Sequence, residues 1–123
     1  MKHVHILMVE DSIYSADLNI RVLKRAGFLV EAKVIASKEE FHKALEEKQW
    51  DIILSDNNMP GFSGLQALDI RNKMGCKTPF LMVTEDISEK DLMRAMESGC
   101  RGCIKKEYLD VMGKQVEEIL EMK

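Results

Sequence analysis

Short apolar runs alternate along the chain with longer segments of mixed character. VHILMV at 4 to 9 and DIILS at 51 to 55 are almost unbroken in apolar residues, and FLMV at 80 to 83 and GCI at 102 to 104 are shorter runs of the same kind. Such runs predict strands covered on both faces. LVEAKVI at 29 to 35 is less uniform, because Glu31 and Lys33 interleave with apolar neighbours, and it predicts a strand nearer the edge of a sheet.

The intervening segments carry helix signals. Residues 12 to 26 run to Gly27, a C-terminal stop; Ser37 with Glu40 forms a capping-box pair ahead of Phe41, Ala44 and Leu45; and Leu65, Leu68 and Ile70 precede Gly75. Ser88 with Asp91 opens a segment that stops at Gly99, and from about 109 to 122 a last helix sets Leu109, Met112, Val116, Ile119 and Leu120 on one stripe. The nine methionines, Met93 and Met96 of the fourth helix included, read most simply as core filler, with a partner surface as the alternative.

The resulting order is (βα)5, with no internal repeat, low-complexity tract or linker. Right-handed crossovers place helices on both faces of a parallel sheet, so the expected fold is a doubly wound α/β sandwich occupying residues 1 to 123 as one domain. In such folds ligands bind beyond the carboxyl ends of the strands. The residues that follow each apolar run are therefore the ones to read for chemistry.

Glu10 and Asp11 follow the first strand, Asp56 the third, Thr84 the fourth, and Lys105 and Lys106 the fifth. On one rim, three carboxylates repel one another unless a cation neutralises them, and oxygen ligands with room for water suit Mg2+. A divalent ion, a lysine and a hydroxyl around one carboxylate are the parts that phosphoryl transfer requires: charge compensation, a hydrogen-bond donor and a nucleophile.

Composition narrows the field. Eighteen basic residues against 21 acidic ones leave a net charge of -3, which argues against a nucleic-acid surface built on bulk positive charge. No stretch approaches the roughly 18 apolar residues of a membrane span, and the start, MKHVHILMVEDS, is too short in apolar residues for a secretory signal. A cytoplasmic protein without membrane insertion is expected. Cys76, Cys100 and Cys103 are an odd number without an export signal, which predicts a reducing compartment, and the CxxC of Cys100 and Cys103 lacks the second pair or histidines of a zinc site.

VEDS after the first strand, SDNNMPGFSG around Asp56, MVTED around Thr84 and GCRGCIKKEY around Lys106 together resemble the receiver domain of bacterial two-component response regulators, over essentially the whole chain. The chain is similar to the chemotaxis response regulators, and looks closest to receivers attached to PAS, histidine kinase or diguanylate cyclase modules. The resemblance implies a flavodoxin-like sheet of order 2-1-3-4-5 and a switch that accepts a phosphoryl group on Asp56 from a histidine kinase or phosphotransfer protein. It implies Glu10, Asp11, Asp56 and the backbone carbonyl of Asn58 as Mg2+ ligands, Thr84 as the switch hydroxyl and Lys106 as the phosphate-binding lysine. Asn58 and Asp86 would flank the path of the water that removes the phosphoryl group.

By the same resemblance the domain catalyses only its own phosphorylation and dephosphorylation, and its output passes through an effector protein or a fused effector domain. Two positions depart from the family pattern. Glu107 stands where a proline commonly follows the lysine, and a cis bond without proline costs about 2.5 to 4 kcal/mol, so a trans Lys106–Glu107 bond and a different loop are expected. Cys103 stands where an aromatic commonly turns inward on activation, which shifts the expected switching to Thr84 and the loop after it.

Two rival readings share the fold. An interaction module without the chemistry would lack Asp56, an acidic partner or Lys106, and none is lacking. A flavin mononucleotide carrier needs a hydroxyl- and glycine-rich phosphate loop after the first strand, whereas EDSIYSAD offers acids that repel phosphate.

Overall fold

The computed structural model describes residues 2 to 121. Five strands, β1 (Lys2–Val9), β2 (Phe28–Ile35), β3 (Ile52–Ser55), β4 (Phe80–Thr84) and β5 (Cys103–Lys105), form one parallel sheet in the order β2-β1-β3-β4-β5. The helices between and after them are α1 (Ile13–Arg25), α2 (Lys38–Glu47), α3 (Gly64–Lys73), α4 (Glu89–Glu97) and α5 (Met112–Glu121). The expected (βα)5 sandwich and its strand order are those observed.

Alternation within each strand divides the core in two. Ile6, Met8, Leu54, Leu81 and Ile104 face Ala16 and Leu23 of α1 and Met112, Val116 and Ile119 of α5. Leu7, Val9, Ile53, Phe80 and Met82 face Phe41 and Ala44 of α2, Ala67 and Leu68 of α3, and Ala95 of α4. Phe41 is fully buried and its ring lies 5.9 Å from that of Phe62 at a tilt of 55°, a site where truncation to alanine costs about 3 to 5 kcal/mol. The less uniform β2 does lie at the edge, with Leu29 and Val34 exposed.

Helix starts follow local chemistry. Ser12, Ser37, Ser63 and Ser88 each accept a hydrogen bond from the backbone N–H three residues on, so every one of α1 to α4 is capped by a serine. The reciprocal capping box belongs to Ser63 and Gln66; the Glu40 carboxylate instead accepts from the Ala36 N–H and the Ser37 hydroxyl. Around α5 the sequence expectation needs correction. Residues 106 to 111 form a 3-10 turn broken at Tyr108, and regular α-helix begins only at Met112. The expected end at residue 122 lies outside the described residues.

The methionine expectation also needs correction. Met8, Met59, Met82 and Met112 are buried, but Met93 and Met96 stand exposed on α4, which buries Ala95 alone. No peptide bond is cis among the described residues, so Lys106–Glu107 is trans. No described helix is long and apolar enough to cross a membrane.

At the amino end of β3, Trp50 is buried between α2 and the chain leading into β4. Its Nε1–H donates to the Ala44 carbonyl at 2.9 Å, and the Lys48 ammonium sits 4.7 Å from the ring centroid. The opposite, carboxyl edge is where the charged residues collect.

Candidate phosphoryl site

Strand register sets the site. Val9 pairs with Ser55, so the residues that follow, Glu10 and Asp56, leave the sheet side by side. Thr84 pairs with Lys105, which brings Lys106 to the same rim. The backbone fixes both carboxylates: Glu10 N–H donates to the Ile35 carbonyl and Asp56 N–H to the Val9 carbonyl, each at 2.9 Å. Glycine at 64 allows the loop after β3 to close, since a Cβ there would lie 3.0 Å from the Asp56 carbonyl oxygen and 3.1 Å from the Asn57 Cα.

Asp56 is nearly buried at 7% exposure, with both oxygens committed. Oδ1 accepts from the Asn58 N–H at 3.1 Å, and Oδ2 faces the Lys106 Nζ at 3.3 Å. Lys106 also donates to Glu10 Oε1 at 2.8 Å, while Glu10 Oε2 accepts from the Ser12 N–H. Burial raises the Glu10 pKa, against the pull of Lys106 and the Ser12 N–H, and the Asp56 charge adds to the rise. For Lys106, burial favours the neutral amine, but the bond to Glu10 and the charges of Asp56 and Glu10 outweigh it, so its pKa rises and it stays an ammonium.

A cavity of about 210 Å3 opens over this group, lined by Glu10, Asp11, Ser12, Ser15, Asp56, Asn58, Glu85 and Lys106. One oxygen from each of Glu10, Asp11 and Asp56 lies within 4.8 Å of the others. Three hard oxygen donors in that compass, facing a single ammonium, fit Mg2+ with water completing its shell.

The structure thus gathers Glu10, Asp11, Asp56, Asn58 and Lys106 around one cavity. Thr84 stands apart from its lining: its buried hydroxyl donates to the Asp86 carbonyl at 3.2 Å and accepts from Asn58 Nδ2 at 3.1 Å. Asn58 and Asp86 do meet, through Asn58 Nδ2 and the Asp86 carbonyl at 2.8 Å, but the Asp86 carboxylate turns to the Ile87 N–H. Cys103 is half-buried and packs against the core on the α2–α3–α4 side of the sheet, and it is not among the residues lining the cavity. Sequence reasoning missed Glu85 as a lining residue, although it directly follows β4 and the strand-end search covered that position.

An aspartate anchored by one N–H, beside a lysine and two further acids, presents a carboxylate with charge compensation in place. The chain is 28% identical over 107 residues to transcription factor SKN7 of Saccharomyces cerevisiae, covering 87% of this chain and 17% of that protein, so it spans less than a fifth of that relative. Among solved structures it is similar to chemotaxis protein CheY4 of Vibrio cholerae, with a TM-score of 0.80, 26% identity and coverage of 95% of this chain and 98% of that one. It shares its fold with the receiver domain of sensor histidine kinase PA1611 of Pseudomonas aeruginosa PAO1, a structure with magnesium coordinated in the active site cleft, at a TM-score of 0.77, 18% identity and coverage of 97% and 98%. Residues 6–116 match the family model for the response regulator receiver domain, and the chain belongs to that family.

Proposed function

We propose that Asp56 is the phosphoacceptor of this signalling domain and that its phosphoryl group comes from a phosphohistidine on a histidine kinase or phosphotransfer protein. The observation that carries this reading is the Asp56 carboxylate held between the Asn58 N–H and the Lys106 ammonium, with Glu10 and Asp11 beside it. In the reaction an Asp56 oxygen forms a bond to phosphorus, the P–N bond breaks, and the electron pair leaves on the imidazole nitrogen. Lys106 offsets charge on the phosphoryl oxygens, and the Thr84 hydroxyl offers a hydrogen bond once it releases Asp86.

Glu10, Asp11 and Asp56, with the Asn58 carbonyl, would hold Mg2+. The ion, when bound, offsets negative charge around the transferred group. Asn58, which lines the cavity, and Asp86, whose carbonyl it holds, tune the lifetime of the phosphorylated state, and Thr84 with the 84 to 90 loop carries the switch. Cys103, small and without a ring to rotate, contributes little.

A protein donor fits the surroundings. Ile13 and Tyr14 flank the cavity residues Ser12 and Ser15 and are 86% and 79% exposed, and Leu18 lies one turn on. Tyr108 and Val111 are exposed on the 3-10 turn packed against α1. Large apolar side chains in water beside a charged cavity suit a docked protein that presents its histidine to Asp56. We read residues 1 to 123 as one receiver unit, cytoplasmic, without turnover of a separate substrate, acting on an effector protein or a fused effector domain. The free cysteines accord with a reducing compartment.

The test compares wild type with Asp56→Asn by intact mass after incubation with acetyl phosphate and Mg2+, with and without EDTA. One phosphate adduct is expected on wild type with metal, and none on the variant. An adduct of equal yield on Asp56→Asn would overturn the assignment.

A further inference from the structure

Four carboxylates line the cavity against one ammonium: Glu10, Asp11, Asp56 and Glu85 against Lys106. Three of them have a task in the site just described. Glu10 and Asp56 pair with Lys106, and Asp11 joins them in the oxygen cluster. Glu85 is different. It lies outside that cluster, is exposed, and is in no ion pair among the described residues.

Its position is nevertheless well held. Thr84 closes β4 through its pairing with Lys105, and the next loop is tied down at Asp86, whose carbonyl accepts from both Thr84 and Asn58. The residue between these two anchors is therefore kept at the cavity mouth rather than swept away with a mobile loop. A neutral small residue would complete the same strand end; what Glu85 adds is one negative charge where any donor must enter.

We propose that Glu85 is a specificity-determining residue, a charge filter that strengthens retention of a divalent cation in the cavity while slowing transfer from small dianionic phosphodonors. The inference rests on Asp56 being the phosphoacceptor. A cation and an anion respond to one charge with opposite sign, so the two effects belong together and neither follows from shape. A small acyl phosphate approaches through water as a dianion and meets Glu85 unscreened. A phosphohistidine on a docked protein arrives with its approach driven by the interface and its own surface charges, so the same carboxylate costs it little. The consequence is insulation: phosphoryl groups enter from the protein partner in preference to the small-molecule pool.

Glu85→Gln keeps size and removes charge; Glu85→Ala removes both. Phosphorylation of wild type and both variants by acetyl phosphate is followed by intact mass at saturating Mg2+ and at two ionic strengths, and Mg2+ affinity is measured separately by calorimetry. In low salt both variants should accept phosphate about five-fold faster than wild type, as one charge acting on a dianion across water implies, with the gain shrinking at about 1 M salt. Both should bind Mg2+ about five-fold more weakly, since a dication feels one charge as strongly as a dianion does at the same distance. Phosphoramidate, which carries less negative charge, should show a smaller gain. A faster Glu85→Ala beside an unchanged Glu85→Gln would assign the effect to bulk and overturn the filter, as would equal rates in all three proteins or a gain indifferent to salt. Absence of any adduct on all three would instead remove the Asp56 reading on which the filter stands.

Discussion

The side-chain amide of Asn58 donates to the Thr84 hydroxyl across 3.1 Å, and the same nitrogen reaches the Asp86 carbonyl at 2.8 Å. Because the Thr84 proton also goes to that carbonyl, the three groups form a closed triangle joining the loop after β3 to the loop after β4. The hydroxyl is thus spoken for. Under the proposed phosphorylation of Asp56, the hydroxyl reaches the phosphoryl group only by surrendering this closed arrangement.

Asn58→Ala removes two sides of the triangle. Each hydrogen bond of this kind contributes about 0.5 to 1.5 kcal/mol, and partial exposure places the loss at the lower end. Hydrogen exchange at residues 85 to 88 should accelerate while the core strands keep their protection. The affinity for beryllofluoride, a phosphoryl mimic, should rise, because the resting loop then has fewer bonds to surrender. Unaltered exchange together with unaltered affinity would show that the triangle restrains nothing.

Gly113 lies in the first turn of α5, where a Cβ would collide with the Cβ of Ala26 at the end of α1. Helix propensity alone favours Gly113→Ala by about 1 kcal/mol, whereas overpacking costs about 1 to 3 kcal/mol. The contact involves no flexible side chain that can swing aside, so the collision wins and the urea midpoint should fall. Adding Ala26→Gly should recover most of the loss. A more stable Gly113→Ala would mean that α1 and α5 separate freely at this point.

Cys100 is buried, and burial raises its thiol pKa above the ordinary value of 9.0 despite backbone hydrogen bonds at Gly102 and Met82; Cys103 is raised as well, by burial and then by Cys100. The thiolate is the nucleophile, so alkylation by iodoacetamide should begin at higher pH in the folded protein than in urea. The same shift acts on stability. A thiol whose folded pKa is raised contributes stability below its unfolded value, and that contribution is lost as the pH climbs through the folded value. Mass mapping over pH 7 to 10 checks the first statement; equal labelling of Cys100 in folded and unfolded protein would refute it. Thermal melts of Cys100→Ala, with a shallower alkaline decline than wild type, check the second.

What was legible in the chain follows from how local each signal is. Glu10, Asp11, Asp56 and Lys106 stand directly after apolar runs, and parallel register carries such residues to one rim whatever the side chains between them. Glu85 obeyed the same rule but was passed over beside Thr84. The Asn58–Asp86 contact joins residues 28 apart through loop closure, which no periodicity encodes. The methionines of α4 misled because an apolar residue at helical spacing does not declare its face, and on this helix only Ala95 reaches the core. Leu109 kept its place on the buried stripe although the helix around it is 3-10, since one apolar residue satisfies either winding.

Trp50 gives the molecule an optical character. It is the sole tryptophan, and it sits at the far end of β3 from Asp56, about 20 Å away along a strand rising about 3.3 Å per residue. Its indole contacts the Ala44 carbonyl and the Lys48 ammonium, neither of which lines the acidic cavity. Excited at the indole band, the protein should therefore keep its brightness whether the switch is thrown or not, and should dim or shift when α2 parts from the sheet.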